Sequence, residues 1–426
     1  MTRHNAASPP ANSPPIRRVA VIGAGAAGTM AAIFAAATGA ETLLLESTRD
    51  GGRKILISGG GRCNILPARV DESRFVTDSS PNTLRKMLRS WPLPEQIAFF
   101  ERELGLSLVE EQASAKLFPA SNRARDVRDG LLALATRRGA QFLPGTTVTG
   151  IVPTLEGWQV ELDGASPLRV DAVIVATGGL SVPNTGSDGR GLVMLAGLGH
   201  TIHPTYPALT PAVADPATFG ALAGISLPVT ITARDTTRQA NATGGFLFTH
   251  RGYSGPSVLD VSHVIARSRR EGDGGARMSV RWTRLDEAGW EAALKPEGTR
   301  TVAGALRREL PDRLADALAG MAGVLPSKPL AQLGRGERLR LVEVLVRGAL
   351  PWTGDEGYQK AEVTGGGVSL AEIDPRTMES RRHPGLFLCG EVLDAFGPIG
   401  GYNFLWAWAT GRAAGIAATK SGFLVS

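Results

Sequence analysis

The segment that most constrains the fold is Gly23–Gly28, whose sequence GAGAAG has the spacing G-x-G-x-x-G. It follows an apolar run, Arg17–Ile22, and leads into a small-residue helical pattern, Gly28–Thr38. A second apolar run, Glu41–Glu46, comes next. Strand, helix and strand in this order predict a β-α-β unit, with parallel strands and a right-handed crossover.

The three glycines of this turn have separate roles in a dinucleotide-binding fold. Gly23 permits the tight turn, Gly25 lets the backbone approach a pyrophosphate, and Gly28 lets the helix pack close to the strand. Glu46 lies 18 positions after Gly28, where a carboxylate accepts hydrogen bonds from the ribose hydroxyls. We therefore predict dinucleotide binding. The alternative is a turn that serves packing only, followed by an exposed strand-end acid.

A long Gly-rich segment, Asp50–Asn64, follows the second strand. It is interpreted as a loop too polar and too flexible to be a core element, and a loop of this length is usually functional. Arg53, Lys54 and Arg62 among its glycines suit contacts with phosphate and with flavin carbonyls. A dehydrogenase that uses a soluble nicotinamide does not need this loop, whereas FAD is longer and needs contacts beyond its pyrophosphate. The loop therefore favours FAD. A flexible surface loop is the alternative.

Two further Gly-rich turns indicate close approach of the backbone to a cofactor. The first, Ala176–Gly179, closes the buried strand Ala172–Ala176. The second runs from Gly397 to Asn403 and opens an apolar helix, Asn403–Ala418. A helix N-terminus there can aim N–H groups at the N1/O2 edge of a flavin and stabilise its negative charge when reduced.

The middle of the chain has a different texture. Alternating apolar residues with Pro and Thr predict an antiparallel β module, and Leu and Ala at helical spacing between prolines predict a helical subdomain. The predicted division is a discontinuous FAD-binding domain at 17–199 and 358–426, a β insert at 200–285 and 346–357, and a helical insert at 286–345. The predicted fold class is thus α/β, with a Rossmann-like domain interrupted twice.

Composition excludes several classes of protein. The first 16 residues contain four prolines and no apolar core of a signal peptide, so a disordered tail is predicted at 1–16. No apolar stretch reaches the roughly 20 residues of a membrane span. The net charge of +6 is carried mainly by Arg. Its densest run, Arg267–Arg284, also contains acids and is interpreted as a solvated loop, so a nucleic-acid partner is not favoured.

The two cysteines, Cys63 and Cys389, lie far apart in different motifs. They form neither a disulfide framework nor a CxxC metal pair, and no trio of His, Cys or carboxylate has ligand spacing, so no metal site is predicted. A reducing cytoplasm fits this pattern best. Cys63 alone cannot form the disulfide of a reductase, and a packing role is favoured. Trp406 and Trp408 are predicted to be core residues.

Several long motifs in the same order resemble the HI0933-like flavoprotein family, the group that includes the BaiN/RdsA-type NAD(P)/FAD-dependent oxidoreductases. These motifs are GAGAAG, GRKILISGGGRCN, ATGG, FTHRGYSGP, AEVTGGGV and GEVLDAFGPIGGYN, and the resemblance runs from about Arg17 to Lys420. It implies an FAD domain interrupted by a β-barrel-like insert and a small helical insert.

The motifs together with the resemblance give the set of expected cofactor-binding positions. That set is Gly23, Gly25, Ala27, Gly28, Glu46, Arg53, Lys54, Ser58, Gly61, Arg62, Cys63, Asn64, Val148, Ala176, Thr177, Gly178, Gly390, Glu391, Gly401, Tyr402 and Asn403. Val148 corresponds to a place where such folds contact adenine through the backbone. The sequence departs from the family at Asp188–Arg190, Ala395-Phe396 and Phe404-Leu405, which are expected near the substrate face, so no substrate is carried over.

The predicted function is an FAD-dependent oxidoreductase that transfers hydride between the flavin and a small organic substrate. The substrate is expected to approach between the FAD domain and the inserts. No second G-x-G-x-x-G is found, so NAD(P)H, if used, must bind transiently in the same cleft. The alternatives are a flavin-dependent oxidase or dehydrogenase of a small amine or carbon–carbon bond, and a flavin-dependent RNA-modifying or RNA-binding protein. No catalytic residue is assigned.

Overall fold

The structure of the chain, a computed structural model, describes residues 17–112, 114–272 and 275–420. The predicted disordered tail at 1–16 lies outside the described residues, as do the last six positions of the predicted FAD-binding domain. None of the helices within the described ranges combines the length and the apolar character needed to cross a membrane.

The strands are numbered along the chain. They are β1 (Arg18–Ile22), β2 (Glu41–Glu46), β3 (Leu66–Pro67), β4 (Leu108–Glu111), β5 (Lys116–Pro119), β6 (Ala140–Pro144), β7 (Val148–Thr154), β8 (Gly157–Leu162), β9 (Ala165–Val170), β10 (Ala172–Val175), β11 (Ile202–Ala208), β12 (Ala212–Val213), β13 (Ser226–Arg234), β14 (Gln239–Thr249), β15 (Gly252–Ser254), β16 (Arg277–Arg281), β17 (Gly348–Ala349), β18 (Gly354–Asp355), β19 (Val363–Val368) and β20 (Leu386–Leu388).

The α-helices are numbered in the same way. They are α1 (Ala26–Ala36), α2 (Arg53–Ile57), α3 (Pro81–Leu88), α4 (Leu93–Arg102), α5 (Ala124–Arg137), α6 (Arg190–Gly197), α7 (Pro216–Phe219), α8 (Pro256–Glu271), α9 (Glu287–Ala293), α10 (Val302–Leu306), α11 (Asp312–Met321), α12 (Arg335–Arg347) and α13 (Tyr402–Ala418). Short 3-10 helices cover Ser58–Gly61, Glu72–Arg74, Pro183–Thr185, Gly220–Leu222, Leu330–Gln332, Leu370–Glu372 and Gly390–Val392.

The sheet that positions the site has the strand order β20-β10-β1-β2-β6, and every neighbouring pair in it is parallel. Its inner strands are almost continuously apolar and buried, as expected of parallel strands covered on both faces. At one edge Val173 of β10 lies opposite Leu386 of β20, so the last segment of the chain completes the sheet begun by β1. The predicted α/β class and the β1-α1-β2 unit are confirmed.

Helices α1 and α13 pack against each other through glycines. A Cβ on Gly411 would lie 2.4 Å from the carbonyl oxygen of Ala27, and a Cβ on Gly415 would lie 2.3 Å from that of Ala31. Both contacts advance by four residues on each helix, so the helices run parallel. Since α13 begins eight residues further from this contact than α1, its N-terminus extends about 12 Å beyond that of α1.

The second large sheet belongs to the middle of the chain. Its order is β17-β16-β13-β14-β15-β12-β18, and all its pairs are antiparallel, as the sequence predicted for the β module. It shares an apolar core with α8 and with the helices α9 to α12. Strand β11, however, pairs with β19 in a separate two-stranded sheet. The domain boundaries stay a prediction.

Two expectations about loops were wrong. Residues Arg53–Ile57 form helix α2, and Ile55 belongs to the core, so part of the Gly-rich segment is a core element. The run Arg267–Arg284 is divided between the end of α8, strand β16 and the segments beside them. Arg267 pairs with Asp78 at 2.7 Å and lies 5.1 Å from the ring of Tyr206, because helix α8 carries it against neighbouring elements instead of into solvent.

Candidate functional site

A cavity of about 560 Å³ lies at the carboxyl ends of β1, β2 and β10. Ligands in open α/β sheets bind at this edge, where successive connections leave the sheet in opposite directions. The N-termini of α1 and α13 also line the cavity. The sheet and the two parallel helices therefore converge on one space.

Most of the expected cofactor-binding positions line this cavity. Those that do are Gly23, Gly25, Ala27, Glu46, Arg53, Lys54, Ser58, Arg62, Asn64, Val148, Ala176, Thr177, Gly178, Gly390, Glu391, Gly401 and Asn403. Gly28, Gly61, Cys63 and Tyr402 are not among the lining residues. A role of any of these positions in cofactor binding stays a prediction.

Three of the four remaining positions have structural roles that the geometry explains. A Cβ on Gly28 would lie 1.8 Å from the carbonyl oxygen of Gly23, so only glycine fits between helix and turn. Cys63 is fully buried, and burial raises the pKa of its thiol to about 12, which keeps it neutral. The hydroxyl of Tyr402 donates to the carbonyl of Arg69 at 3.2 Å.

One end of the cavity, called here the dinucleotide end after its predicted ligand, is formed by Gly23, Gly25 and Glu46. Gly23 has φ +100°, and a Cβ there would lie 2.7 Å from the carbonyl oxygen of Ala176. The buried carboxylate of Glu46 accepts hydrogen bonds from the backbone N–H of Ala24 at 2.8 Å and from both the N–H and the hydroxyl of Thr48. The carboxylate is therefore fixed in place before any ligand arrives.

Helix α1 begins at this end without a capping side chain. Its N-cap is Gly25, no side chain accepts a hydrogen bond there, and no acid lies in its first turn. The first N–H groups of a helix have no intrahelical acceptor, so an uncapped N-terminus can bind an anion. The hydroxyl of Thr177, which also lines the cavity, is buried with no hydrogen-bond partner among the described residues. An unpaired buried hydroxyl is unfavourable unless a ligand atom meets it.

A charged network in the wall of the cavity connects the two ends of the chain. The Lys54 ammonium donates to the Glu391 carboxylate at 2.6 Å and to the Ser181 hydroxyl at 2.5 Å. Glu391 also accepts hydrogen bonds from the Ser181 hydroxyl at 2.6 Å and from the backbone N–H of Thr364 at 3.0 Å. Four segments distant in sequence are thereby held together. Sequence reasoning missed Ser181, which stands just after the ATGG motif.

The opposite end of the cavity, called here the glycine-turn end, is formed by the turn Gly397–Gly401 with Lys116 and Glu362. The Asn403 side chain accepts from the N–H of Gly397 at 2.9 Å and donates to its carbonyl at 3.0 Å. The carboxylate of Asp260 in α8 accepts from the N–H of Ile399 at 2.8 Å. The turn is thus fixed from both sides.

The end of this turn and the helix that follows also face the cavity. When the Asn64 amide is oriented so that both of its polar atoms are satisfied, its oxygen accepts from the N–H of Gly401 at 3.0 Å. Gly401, with φ +90°, is the N-cap of α13 and offers no side-chain acceptor, so this helix too begins uncapped. Two parallel helices therefore direct first-turn N–H groups without a side-chain cap among the described residues into one cavity, about 12 Å apart along their axes.

The tryptophans predicted to be core residues, and several positions that depart from the family pattern, lie in the same region. Trp406 and Trp408 are buried, as predicted, and their indole N–H groups donate to the carbonyls of Gly390 and Ile65. Phe404 lines the cavity and stacks on Trp408 at 5.3 Å between ring centres. Of the other departures, Asp188, Arg190 and Ala395 line the cavity, whereas Phe396 and Leu405 do not.

Sequence reasoning missed several residues of the glycine-turn end. Lys116 and Phe118 lie on β5 and Glu362 directly precedes β19, and all three line the cavity. The guanidinium of Arg62 lies 4.1 Å from the centre of the Phe118 ring. A usable signal was present for Glu362, because it is the acid of the motif AEVTGGGV, and for Lys116, a lone cation at the head of the apolar run KLFP.

Comparison with known proteins gives one family for almost the whole chain. The family model described as HI0933-like protein Rossmann domain matches residues 17–417. A 3-dehydro-bile acid delta(4,6)-reductase of Clostridium scindens is 32% identical, covering 95% of this chain and 100% of the relative. A ribosomal RNA dihydrouridine synthase of Escherichia coli is 31% identical, covering 92% and 95%.

A further relative and a solved structure are also similar to this chain. A ribosomal RNA dihydrouridine synthase of Haemophilus influenzae is 30% identical, covering 94% of this chain and 98% of the relative. Among solved structures, a 3-ketosteroid-delta4-(5alpha)-dehydrogenase from Rhodococcus jostii superposes with a TM-score of 0.48 at 17% identity, covering 95% of this chain and 97% of that one.

Proposed function

The chain belongs to the HI0933-like family and is a flavin-dependent oxidoreductase, and from this premise we propose that it holds FAD and reduces a carbon–carbon double bond conjugated to a carbonyl group. The predicted family and the predicted oxidoreductase class are confirmed. FAD as the particular flavin, NAD(P)H as its reductant and the substrate class are the proposed part.

The observation that carries the choice of FAD is the pair of uncapped helix N-termini in one cavity. The N–H groups of α1 would bind the pyrophosphate, and Glu46, already oriented by Ala24 and Thr48, would accept from the adenosine ribose. The N–H groups of α13 would face the electron-rich edge of the flavin ring. FAD, when bound, supplies the hydride chemistry, and the protein supplies binding and orientation.

The substrate class is proposed from the chemistry that the relatives' names describe. A delta(4,6)-reductase acting on a 3-dehydro-bile acid removes ring double bonds near a ketone. A dihydrouridine synthase forms a uracil ring that has lost the double bond next to its carbonyl. Both names describe hydrogenation of a double bond polarised by a carbonyl. NAD(P)H is the proposed reductant, bound transiently in the same cavity.

Reduction of uridine in RNA is a second candidate, because two relatives with RNA in their names are nearly as similar to this chain as the bile-acid reductase. The small-molecule version is preferred because the first of these relatives, at 32% identity over its full length, is named for a small-molecule substrate. Oxidation of a small amine, the other alternative drawn from the sequence, has a separate signature, since it consumes O₂ and needs no NAD(P)H.

The test begins with the visible spectrum of the purified protein and the mass of the cofactor released from it. Anaerobic mixing with NADH and with NADPH then measures flavin reduction. The reduced protein is next mixed with 4-androstene-3,17-dione, with ribosomal RNA, or with neither. Reoxidation by the enone supports the proposal, and reoxidation by RNA alone supports the second candidate. A protein that stays colourless in excess FAD contradicts both.

A further inference from the structure

Charged side chains around the cavity differ in whether they have partners. Nine charged residues line it, and seven have an ion-pair or hydrogen-bond partner: Glu46, Arg53, Lys54, Arg62, Asp188, Arg190 and Glu391. Lys116 and Glu362 have no hydrogen bond or ion pair from their side chains within residues 17–112, 114–272 and 275–420. The unpaired charges are therefore one cation and one acid in the same cavity.

Both unpaired groups lie at the glycine-turn end. The side chain of Lys116 passes 3.7 Å from the place where a Cβ on Gly400 would stand. Glu362 precedes β19, next to the Thr364 N–H that holds Glu391. Lys116 lies on β5 and Glu362 directly precedes β19, and the two line the same cavity close enough to interact electrostatically.

The surroundings of Glu362 favour the protonated form of its carboxyl group. Its side chain is exposed to the cavity but surrounded by protein, and the loss of water raises the pKa of its carboxyl. Lys116 and Lys54 oppose this rise, and the carboxylate of Asp260 adds to it. A carboxyl group with a raised pKa in a cavity is suited to act as a general acid.

We propose that Glu362 is the proton donor of the reduction and that Lys116 binds the carbonyl oxygen of the substrate, an inference that rests on the proposed function. The hydride, supplied by the reduced cofactor at the expense of NAD(P)H, forms a C–H bond at the β-carbon. The π pair shifts towards the carbonyl oxygen, where the Lys116 ammonium stabilises the negative charge. As the electron pair returns from the oxygen to the α-carbon, the O–H bond of the Glu362 carboxyl breaks and its proton forms the second C–H bond there. The carboxylate then takes a proton from solvent.

The first test separates the two half-reactions in Glu362→Gln and Lys116→Met. Both variants are loaded with FAD and reduced with dithionite, so that reoxidation is measured without the NAD(P)H step. Reoxidation by an enone should slow about 100-fold in Glu362→Gln, within the range that general acid catalysis contributes. The matched controls are Glu156→Gln and Lys86→Met, since both residues are exposed and neither lines the cavity. A Glu362→Gln variant reoxidised within threefold of wild type would overturn the proposal.

A second readout needs no substrate, so it distinguishes failure of this pair from failure of the proposed function. Infrared difference spectra between acid and alkaline protein should contain a protonated-carboxyl band that is lost in Glu362→Gln. In Lys116→Met the same band should titrate at higher pH, because the cation that favours the ionised form is gone. A band that is unaffected by either substitution would refute the pair, even if the enone reoxidises the flavin.

Discussion

The two ends of the cavity differ in whether their charged side chains have hydrogen-bond partners within the described residues. At the dinucleotide end the Glu46 carboxylate receives three hydrogen bonds from Ala24 and Thr48, and the backbone around Gly23 has no spare room. At the glycine-turn end Lys116 and Glu362 have no side-chain partner within the described ranges. An end that holds a permanent ligand benefits from groups already fixed. An end where charge changes during a reaction needs groups that are free to respond.

The largest expected effect comes from filling the helix–turn contact of the dinucleotide end. Gly28→Ala places a Cβ 1.8 Å from the carbonyl oxygen of Gly23, where only backbone can move. We expect the free energy of unfolding to fall by about 3 kcal/mol, at the upper end of overpacking effects. Urea denaturation of the apoprotein measures it. A loss below about 0.5 kcal/mol would show that this end is not the rigid one.

Loss of the Lys54–Glu391 ion pair in the cavity wall should have the next largest effect on the free energy of unfolding. Lys54→Met leaves the partly buried Glu391 carboxylate with only Ser181 and Thr364 as donors. Breaking a fully buried pair costs about 3–5 kcal/mol, and the partial exposure here reduces the expected loss to about 2 kcal/mol.

The double variant Lys54→Met/Glu391→Gln should recover part of that loss, because no carboxylate is then left without its cation. Chemical denaturation of the wild-type, single-variant and double-variant apoproteins measures these differences in the free energy of unfolding. If the single variant is as stable as wild type, the Lys54–Glu391 pair does not stabilise the fold and Lys54 acts only towards a ligand.

The residues that line the dinucleotide end could be located from the sequence because their spacing is local. Gly23, Gly25 and Gly28 lie within one turn, and the distance to Glu46 follows from one helix and one strand. The glycine-turn end depends on pairings between distant segments. Lys116 reaches it through the β3-β5-β4 sheet, and Glu362 through the pairing of β19 with β11.

Helix α2 was not predicted from the sequence for a different reason. Gly51 and Gly52 adopt positive φ angles and turn the chain so that Ile55 enters the core. A count of polar residues and glycines over the segment does not contain that information. The short apolar run Ile55–Ile57 was the available signal, and a run of that length does not distinguish a helix from a strand.

The free energy of unfolding should depend on pH through the buried Asp260 carboxyl, which lies behind the glycine turn. Burial raises the pKa of Asp260 to about 6, against the backbone N–H of Ile399 and the Arg74 guanidinium, which both lower it. The folded protein then binds more protons than the unfolded chain between about pH 4 and pH 6, so this group's contribution is lost as the pH rises through that window.

Asp260→Asn removes that titration and retains an oxygen for the N–H of Ile399. The stability of wild type relative to the variant should therefore fall by about 2 kcal/mol between pH 4 and pH 7. Thermal or urea unfolding at the two pH values measures the difference. A constant difference would mean that Asp260 ionises alike in the folded and unfolded chains.

The smallest effect should be the most specific for the dinucleotide end. A Cβ on Gly25 meets no protein atom within 4 Å, and its φ of −77° suits alanine. Gly25→Ala should therefore leave the stability of the apoprotein unchanged, in contrast to Gly28→Ala. If a pyrophosphate lies against this turn, the methyl group should weaken FAD binding about tenfold, or about 1.4 kcal/mol. Titration of the apoprotein with FAD measures the affinity, and equal affinity in wild type and variant would place the pyrophosphate elsewhere.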